Sequence, residues 1–307
     1  MSRRTVLVIA CYATVYIAWG GTYFFIKESV ATIPSFYVIG GRWLVGGLLL
    51  GALAIAGGRL RTLPTARQVL SAILLGSLLL IGGNGLITTA ENRIDSYLAA
   101  LVACSAPILV AVFDRFIEGS RLSFTRMLAI LLGLGGVALL LYNGHSLLSS
   151  LNPWVLMAVA GIVCWSLATS LGHRFLGTAD TLVSSAIQML FVGVVCLAGS
   201  LLFSESPAAV VASVSQRSVV GMVYLAIVGS IAFAAYTYLM SNEPTERVVS
   251  YALVNPVIAV FLGLSFGGET PTPLLWVGLP LILLGLAIML YGERLAARFR
   301  KARVESR

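Results

Sequence analysis

Long apolar stretches, separated by short polar connections, follow one another along almost the whole chain. A membrane-crossing helix needs about 20 apolar residues, within a range of roughly 17–25. Because backbone groups inside a bilayer must be hydrogen-bonded within the protein, we expect each such stretch to be a helix. The pattern predicts an all-α, polytopic membrane protein with ten transmembrane helices: Thr5–Phe25, Ser35–Ala56, Gln68–Ala90, Ser96–Phe113, Thr125–Tyr142, Pro153–Gly172, Thr181–Phe203, Ser218–Leu239, Val248–Phe266 and Leu274–Tyr291.

The composition excludes a soluble globular protein. Hydrophobic residues make up 59% of the chain and charged residues 10%, against roughly 45–50% and 25% in an ordinary globular chain. The net charge of +8 raises nucleic-acid binding as an alternative. However, the basic residues lie in the connections and at the C-terminus, and not along one exposed helix face. We therefore expect the lipid bilayer, and no nucleic acid, as a partner.

The distribution of Lys and Arg predicts the orientation in the membrane. With the N-terminus in the cytoplasm, most basic residues fall on the cytoplasmic side. Only Lys27, Arg93 and Arg217 fall outside, and Arg42 falls within a span. Both termini are then cytoplasmic, the number of spans is even, and residues 293–307 form a basic cytoplasmic tail.

The two halves of the chain repeat the same landmarks. Two pairs of residues lie 146 positions apart and three pairs lie 149 apart: Trp19 with Trp165, Arg42 with Gln188, Pro107 with Pro256, Gly136 with Gly285, and Tyr142 with Tyr291. We therefore divide the chain into a first repeat over residues 1–145 and a second over residues 152–292. Each repeat contains five predicted helices. Because five is an odd number, the second repeat must cross the membrane in the opposite sense.

Inverted repeats of this kind are typical of secondary transporters. Two similar halves give two nearly equivalent arrangements, one open to each side, around a site at mid-depth. The alternatives are a duplication that only built a helical bundle, and a channel. We expect a transporter.

Three motifs resemble those of a known family. They are WGGTYFFIK at the end of the first helix, the Arg in GGRWL of the second, and AP followed by a Glu before the fifth. With their order and repetition, the chain resembles the EamA family of the drug/metabolite transporter superfamily over essentially its whole length. The resemblance implies a ten-helix protein of the bacterial plasma (inner) membrane that carries small metabolites, often outward, without an ATPase. Among the branches, the chain looks most like the YddG-type exporters of aromatic amino acids.

Arg42 is the one charge in the interior of the predicted spans, since Arg126 is the second residue of the fifth. A rise of 1.5 Å per residue places it roughly 10 Å from the start of the second helix. A charge at the bilayer centre costs about 2.5–3.5 kcal/mol on insertion scales, so a buried Arg needs a partner. One hypothesis is that Arg42 lies at a cavity wall, where it attracts a carboxylate or anchors a gate. The other is a structural Arg, satisfied by Glu28 or by helix carbonyls.

Aromatic residues with a polar tip are further candidates for substrate binding. Their rings can stack against a flat substrate while the polar tips form hydrogen bonds, and they can hold an ammonium group by cation–π attraction. The alternative is an aromatic belt at the membrane surface, or plain helix packing. The candidates are Trp19, Tyr23, Tyr97, Trp165, Tyr236 and Tyr251.

Three uncharged polar residues lie within spans, namely Asn84, Asn255 and Gln188. Each costs free energy in hydrocarbon unless it is paired, so each binds either the substrate or a neighbouring helix. The glycines around Asn84 favour a helix contact there. Pro107 and Pro256 are expected to kink the fourth and ninth helices and to act as hinges.

The sequence contains no catalytic or metal-binding motif. It has no G-x-x-x-x-G-K-[ST] loop and no H-E-x-x-H pair, so we expect no nucleotide hydrolysis, enzymatic activity, cofactor or metal site. The carboxylates considered lie at the ends of spans: Glu28, Asp95, Asp114, Glu118 and Glu269. The sequence therefore offers no obvious proton carrier, which favours a facilitator or a weakly coupled exporter.

These patterns predict a secondary transporter that exports small organic metabolites by alternating access around a mid-membrane cavity. Amino acids, with a preference for aromatic ones, are the expected small-molecule substrates. The alternative is a facilitative channel, or a carrier for nucleosides, sugars or drugs. The oligomeric state is open, and a monomer is compatible with the sequence.

Overall fold

The computed structural model describes residues 3–60, 63–119, 124–141, 152–177, 179–203 and 206–305, and within these ranges it contains helices and no strands. The predicted limits at residues 1, 142, 145 and 307 lie outside the described residues. The helices are α1 Arg3–Val30, α2 Ser35–Ala56, α3 Ala66–Gly76, α4 Leu86–Ala90, α5 Ser96–Ala103, α6 Ala106–Glu118, α7 Phe124–Leu141, α8 Pro153–Leu176, α9 Thr181–Phe203, α10 Pro207–Ser213, α11 Gln216–Asn242, α12 Thr245–Val248, α13 Asn255–Phe266 and α14 Leu275–Glu305.

Among the described residues, eight helical stretches are long and apolar enough to cross a membrane. They correspond to all the predicted spans except the fifth and the tenth. The fifth corresponds to α7, and the tenth begins α14, in which the apolar part Leu275–Ile288 is shorter than a full span. An all-helical polytopic fold is thus confirmed, whereas the count of ten spans stays a prediction.

The first helix extends beyond its predicted end at Phe25 to Val30. Two charged residues, Lys27 and Glu28, lie in this extension, and both have partners within the protein. Lys27 donates hydrogen bonds to the backbone oxygens of Glu91 and Ile94, at 2.9 and 2.8 Å. We call this end of the bundle, where α1 ends and α2 begins, the upper end.

Three predicted helices are irregular at mid-length. The third contains a π-helical segment, Ser77–Gly85, between α3 and α4. The fourth and ninth are interrupted immediately before their prolines, because a proline lacks an N–H and is best placed in the first turn of a helix. Pro107 lies in the first turn of α6 and Pro256 in the first turn of α13, with a 3₁₀ turn, Val249–Leu253, preceding the latter.

Helices α2 and α9 pack together along glycines, and their contacts are reciprocal. A Cβ atom on Gly47 would lie 2.7 Å from the backbone nitrogen of Leu190, and one on Gly193 would lie 2.5 Å from the backbone nitrogen of Leu44. Leu190 and Gly193 are the residues 146 positions after Leu44 and Gly47. Each helix therefore presents the same pair of positions to the other, as in a contact across a two-fold axis.

Helices α7 and α14 show the same reciprocity. A Cβ atom on Gly136 would lie 2.8 Å from the backbone oxygen of Gly278, and one on Gly285 would lie 2.8 Å from that of Ala129. Gly278 and Gly285 are 149 positions after Ala129 and Gly136. The spacing that relates the two halves in the sequence thus also relates their contacts in space.

The remaining long helices pack in pairs, each of which joins the two halves of the chain. Helix α1 packs on α11, and α8 packs on the π-helical segment and α4, so each half supplies one helix to each pair. The largest hydrophobic cluster accordingly contains residues of both halves. These pairs surround the centre of the bundle, where the candidate site lies.

We predict that Gly47→Ala lowers the free energy of unfolding by about 1–3 kcal/mol, because the added methyl meets the backbone of α9 and overpacks the contact. Thermal unfolding of the purified protein in detergent measures the change. Gly51→Ala, on the same helix with open space at its Cβ position, is the matched control. It should leave stability unchanged or raise it by up to about 1 kcal/mol through better helix propensity. Equal effects of the two substitutions would contradict the glycine contact.

Candidate functional site

Four aromatic rings meet at the centre of the bundle, and two of them are the tryptophans that match between the halves. The rings of Trp19 and Trp165 lie 5.3 Å apart, centroid to centroid, in an edge-to-face arrangement. Tyr236 lies 4.8 Å from Trp19 and 5.3 Å from Trp165, and Tyr251 lies 5.2 Å from Trp19. We call these four residues the aromatic cluster. Offset and edge-to-face ring pairs of this kind contribute about 0.5–1.5 kcal/mol each beyond their buried area.

Hydrogen bonds fix the polar tips of the cluster. The indole Nε1 of Trp165 donates to the hydroxyl of Tyr251 at 3.1 Å. The hydroxyl of Thr169 donates to the backbone oxygen of Trp165, so its 2.6 Å contact with the Tyr236 hydroxyl is one in which the tyrosine donates. The rings are therefore held in one arrangement, and not merely packed.

A cavity of about 50 Å³ lies beside the aromatic cluster. A water molecule needs roughly 10–15 Å³ measured in this way, so the cavity has room for a few waters. Binding sites for whole metabolites are commonly about 300–1,000 Å³. The cavity must therefore widen before it can hold a metabolite. Its walls are formed by Trp19, Thr22, Tyr23, Arg42, Trp43, Asn84, Ile87, Ala103, Ala106, Ile162, Trp165, Phe233, Tyr251 and Asn255.

Arg42 lies at the wall of this cavity and is 1% exposed. Its Nη1 donates a long hydrogen bond, 3.4 Å, to Oδ1 of Asn84. Its guanidinium carbon lies 4.2 Å from the ring centroid of Trp43, which is a cation–π contact. Glu28, one of the partners considered for it, instead forms an ion pair with Arg217 at 3.1 Å.

Three buried polar atoms of residues that line the cavity have no hydrogen-bond partner among the described residues. Two are donors, Nε of Arg42 and Nε1 of Trp43, and one is an acceptor, Oδ1 of Asn255. Buried polar atoms in proteins are nearly always hydrogen-bonded, so each of these atoms has the capacity for a further hydrogen bond. The two donors suit an anionic group, and the acceptor suits an ammonium group.

Seven of the ten predicted substrate-binding residues lie on the cavity wall: Trp19, Tyr23, Arg42, Asn84, Trp165, Tyr251 and Asn255. The structure places the other three elsewhere. Tyr236 lies behind the tryptophans in the aromatic cluster. Tyr97 donates its hydroxyl proton to the backbone oxygen of Thr270 at the upper end. Gln188 packs against Gly76 between α9 and α3, where its Nε2 donates to Ser184.

Sequence reasoning missed several residues of the wall. Thr22, Trp43 and Phe233 line the cavity, as do the small residues Ala103 and Ala106. Trp43 directly follows Arg42, and Thr22 is three positions after Trp19 on the same helix face. Those spacings could have indicated the two residues. Nothing in the pattern distinguishes Phe233 from the other apolar residues of α11.

Glu91 is the most informative residue that the sequence analysis missed. It directly follows α4, its side chain is 0% exposed, and both carboxylate oxygens lack a hydrogen-bond partner within the described residues. Burial raises the pKa of this carboxyl well above its ordinary value, and the Lys27 ammonium lowers it in part. Glu91 is thus a buried acid, and it was not among the five carboxylates that the sequence analysis considered. The side chain folds back into the bundle although the residue follows the third apolar stretch.

Within the described part of the chain, no group of three His, Cys, Asp or Glu residues is placed to hold a metal ion. The four cysteines are all unpaired, and Cys11, Cys104 and Cys196 are buried as small core residues. What the site combines is an aromatic wall, a buried guanidinium and uncharged polar groups.

Comparison with known families gives two matches on this chain. The profile of the EamA-like transporter family matches residues 6–142 and again residues 152–291. The two matches cover nearly the whole chain and divide it into two similar parts.

Comparison with individual proteins agrees with this result. The "Uncharacterized inner membrane transporter YedA" of Escherichia coli (strain K12) is 35% identical over 296 residues, which covers 95% of this chain and 94% of that protein. The "Aromatic amino acid exporter YddG" of Ancylobacter novellus is 27% identical over 303 residues, covering 94% and 98%. A solved crystal structure with 22% identity superposes with a TM-score of 0.69 over 92% of this chain and 95% of that chain, a likeness of fold.

We predict that the hydrogen bond between Trp165 and Tyr251 couples these two residues energetically. In a double-mutant cycle of Trp165→Phe and Tyr251→Phe, the coupling free energy should be about 0.5–1.5 kcal/mol, the usual net value of a buried hydrogen bond. Thermal unfolding of the four proteins in detergent gives the values. If the stability losses of the two single variants sum to the loss of the double variant within about 0.3–0.5 kcal/mol, the hydrogen bond does not contribute.

Proposed function

Because the chain belongs to the EamA-like transporter family, we propose that it is a secondary transporter that works by alternating access around the central cavity. The family and the relatives indicate a multi-pass inner-membrane transporter, not an enzyme. The observation that carries the proposal is the position of the cavity, which lies where the matching tryptophans of the two halves meet. A site between two similar halves can be exposed by movement of either half.

The chemistry of the wall favours amino acids with an aromatic side chain as substrates. The unpartnered donors of Arg42 and Trp43 suit a carboxylate, and the unpartnered oxygen of Asn255 suits an ammonium group. Trp19 and Trp165 suit a flat side chain, against which their rings can stack. A distant relative, YddG of Ancylobacter novellus, is named as an exporter of aromatic amino acids. Export is accordingly the proposed direction of transport.

The small volume of the cavity supports a mechanism that includes a conformational change. At about 50 Å³ it accommodates a few water molecules but no amino acid. We place the hinges at Pro107 and Pro256, since both helices are interrupted before these residues. An interrupted helix can change its angle without breaking further backbone hydrogen bonds.

The proposal includes the inverted architecture of ten spans, with repeats over residues 1–145 and 152–292 and both termini in the cytoplasm. It is supported by the reciprocal glycine contacts of α2 with α9 and of α7 with α14. It is also supported by the excess of Lys and Arg on one side, according to the positive-inside rule.

Counterflow in liposomes tests the proposed function. Purified protein is reconstituted with unlabelled L-phenylalanine inside, and uptake of labelled L-phenylalanine is followed. An alternating-access carrier takes up label faster when it is preloaded, whereas a channel shows no such stimulation. A panel of labelled amino acids, nucleosides and sugars tests the substrate class. Transport of another solute, with aromatic amino acids ignored, would overturn the assignment.

We predict that Trp165→Ala raises KM for aromatic amino acids about tenfold, because loss of stacking and cation–π attraction of about 1.4 kcal/mol corresponds to that factor. Counterflow over a range of substrate concentrations measures KM. Trp276→Ala is the matched control, because Trp276 is 66% exposed on the outside of the bundle. It should leave KM unchanged.

Thermal unfolding of both variants separates binding from folding. If Trp165→Ala lowers the melting temperature but leaves KM of the folded protein unchanged, Trp165 serves packing only and the proposed binding role is wrong.

A further inference from the structure

Glu91 is a buried carboxylate outside the wall of the cavity, and nothing in the proposed binding of the substrate uses it. Neither of its oxygens has a hydrogen-bond partner within the described residues, and the side chain is 0% exposed. Burial favours the protonated form of such a carboxyl group, whereas nearby cations favour the ionised form. A site of this kind is suited to gaining and losing a proton when its surroundings change.

Several elements that pack near Glu91 carry charged or titratable groups. Lys27 is the nearest identified cation, since its Nζ bonds the backbone oxygen of Glu91 at 2.9 Å. The upper part of α8, Pro153–Ile162, carries no charged side chain. The groups that act on Glu91 electrostatically are Lys27 and Tyr23 of α1, Arg42 of α2, and Glu269 of the connection before α14.

The geometry connects Glu91 with Arg42. Asn84, Thr88 and Glu91 follow each other at spacings of four and three residues, which places them along one side of the third predicted helix. The hydroxyl of Thr88 and Nη1 of Arg42 both donate to Oδ1 of Asn84, each at 3.4 Å. Polar side chains thus follow this side of the helix from the cavity wall towards the upper end.

The directions of the two helices bring their charged side chains towards each other. Side chains on a helix lean towards its N-terminus. Helix α2 begins at the upper end, so Arg42 leans upwards, whereas α4 ends there, so Glu91 leans downwards. Arg42 therefore has two possible anionic neighbours, namely Glu91 on its upper side and a ligand in the cavity.

The charges of this region balance only in the absence of a ligand. In its ionised form, Glu91 together with Glu269 balances the cations Lys27 and Arg42, which favour that form and oppose the effect of burial. Glu269 accepts hydrogen bonds from the backbone nitrogens of Ser96 and Tyr97, at 2.7 and 3.3 Å. A ligand carboxylate at Arg42 adds a negative charge, which is costly in a low-dielectric interior.

We propose that Glu91 is a proton-binding site and that it takes up one proton when a carboxylate binds at Arg42. A hydronium ion from bulk solution gives its proton to the Glu91 carboxylate, where an O–H bond forms, and leaves a water molecule. The Arg42 guanidinium then compensates the charge of the ligand carboxylate instead of that of Glu91. The inference rests on the proposed function and adds to it a coupling between substrate binding and protonation.

Linkage determines the direction of the pH effect. If ligand binding favours the protonated form of Glu91, protonation of Glu91 favours ligand binding by the same factor. Affinity therefore rises as pH falls, by up to about tenfold per pH unit for one proton. A Gln at position 91 resembles the protonated acid and should give the affinity of the low-pH state at every pH.

A substrate-free measurement tests the proton site itself. Infrared difference spectra of the purified protein, taken over a range of pH, detect the carbonyl stretch of a protonated carboxylic acid. The band should grow as pH falls, be absent from the titration of Glu91→Gln, and remain in Glu91→Asp. Glu28→Gln is the matched control, because Glu28 lies at the same end of the bundle but pairs with Arg217. A band that survives Glu91→Gln unchanged would overturn the proposal.

A transport measurement tests the coupling. Counterflow of labelled L-phenylalanine is measured in liposomes at pH 6 and at pH 8. KM of the wild type and of Glu28→Gln should be tenfold or more lower at pH 6, whereas that of Glu91→Gln should be the same at both. Glu91→Gln should still exchange substrate but should not respond to an imposed pH gradient.

The outcomes separate the two proposals. If the wild type exchanges L-phenylalanine with the same KM at both pH values, or binds it more weakly at pH 6, the coupling is wrong and the proposed function stands. If no aromatic amino acid is transported, the proposed function is wrong, and the infrared titration still decides whether Glu91 binds a proton.

Discussion

Close approach of helix backbones at glycines is the contact on which the rest of the bundle depends. In a bilayer, helices gain little from hydrophobic burial against each other, so association relies on dense packing between small residues. Gly47 and Gly193 bring α2 and α9 to a separation at which any side chain would meet backbone atoms. The two glycines occupy matching positions in the two halves. The same type of contact therefore occurs twice and determines how α2 and α9 pack.

This packing determines where polar and aromatic groups lie. The matching tryptophans meet at the centre, and the cavity beside them contains a buried guanidinium with a cation–π partner but few hydrogen bonds. A site with unpartnered donors and acceptors lowers the stability of the protein in the absence of a ligand, and under the proposed function the substrate offsets that cost. A loss of stability of this kind is common where activity needs a particular site geometry.

The sequence predicted the helices well because the length of an apolar stretch is a strong constraint. It singled out Trp19 and Trp165, which both lie on the cavity wall, because a repeat spacing carries information on symmetry. The predictions were less successful for residues whose place relative to the cavity depends on the direction of the side chain. Gln188 matches Arg42 in the repeat but points between α9 and α3, and Tyr97 reaches a loop. Glu91 was missed because it follows an apolar stretch, where a charge normally faces water, whereas this one turns into the bundle.

We propose that two similar halves lie in the membrane in opposite senses. In that arrangement the connections beside Glu118 and Glu269 are equivalent in the two halves, so their location relative to the membrane is the decisive test. Reporter tags inserted beside each residue, read by their accessibility from the two sides of the membrane, should place Glu118 in the cytoplasm and Glu269 outside. Both tags on the same side of the membrane would contradict the inverted arrangement.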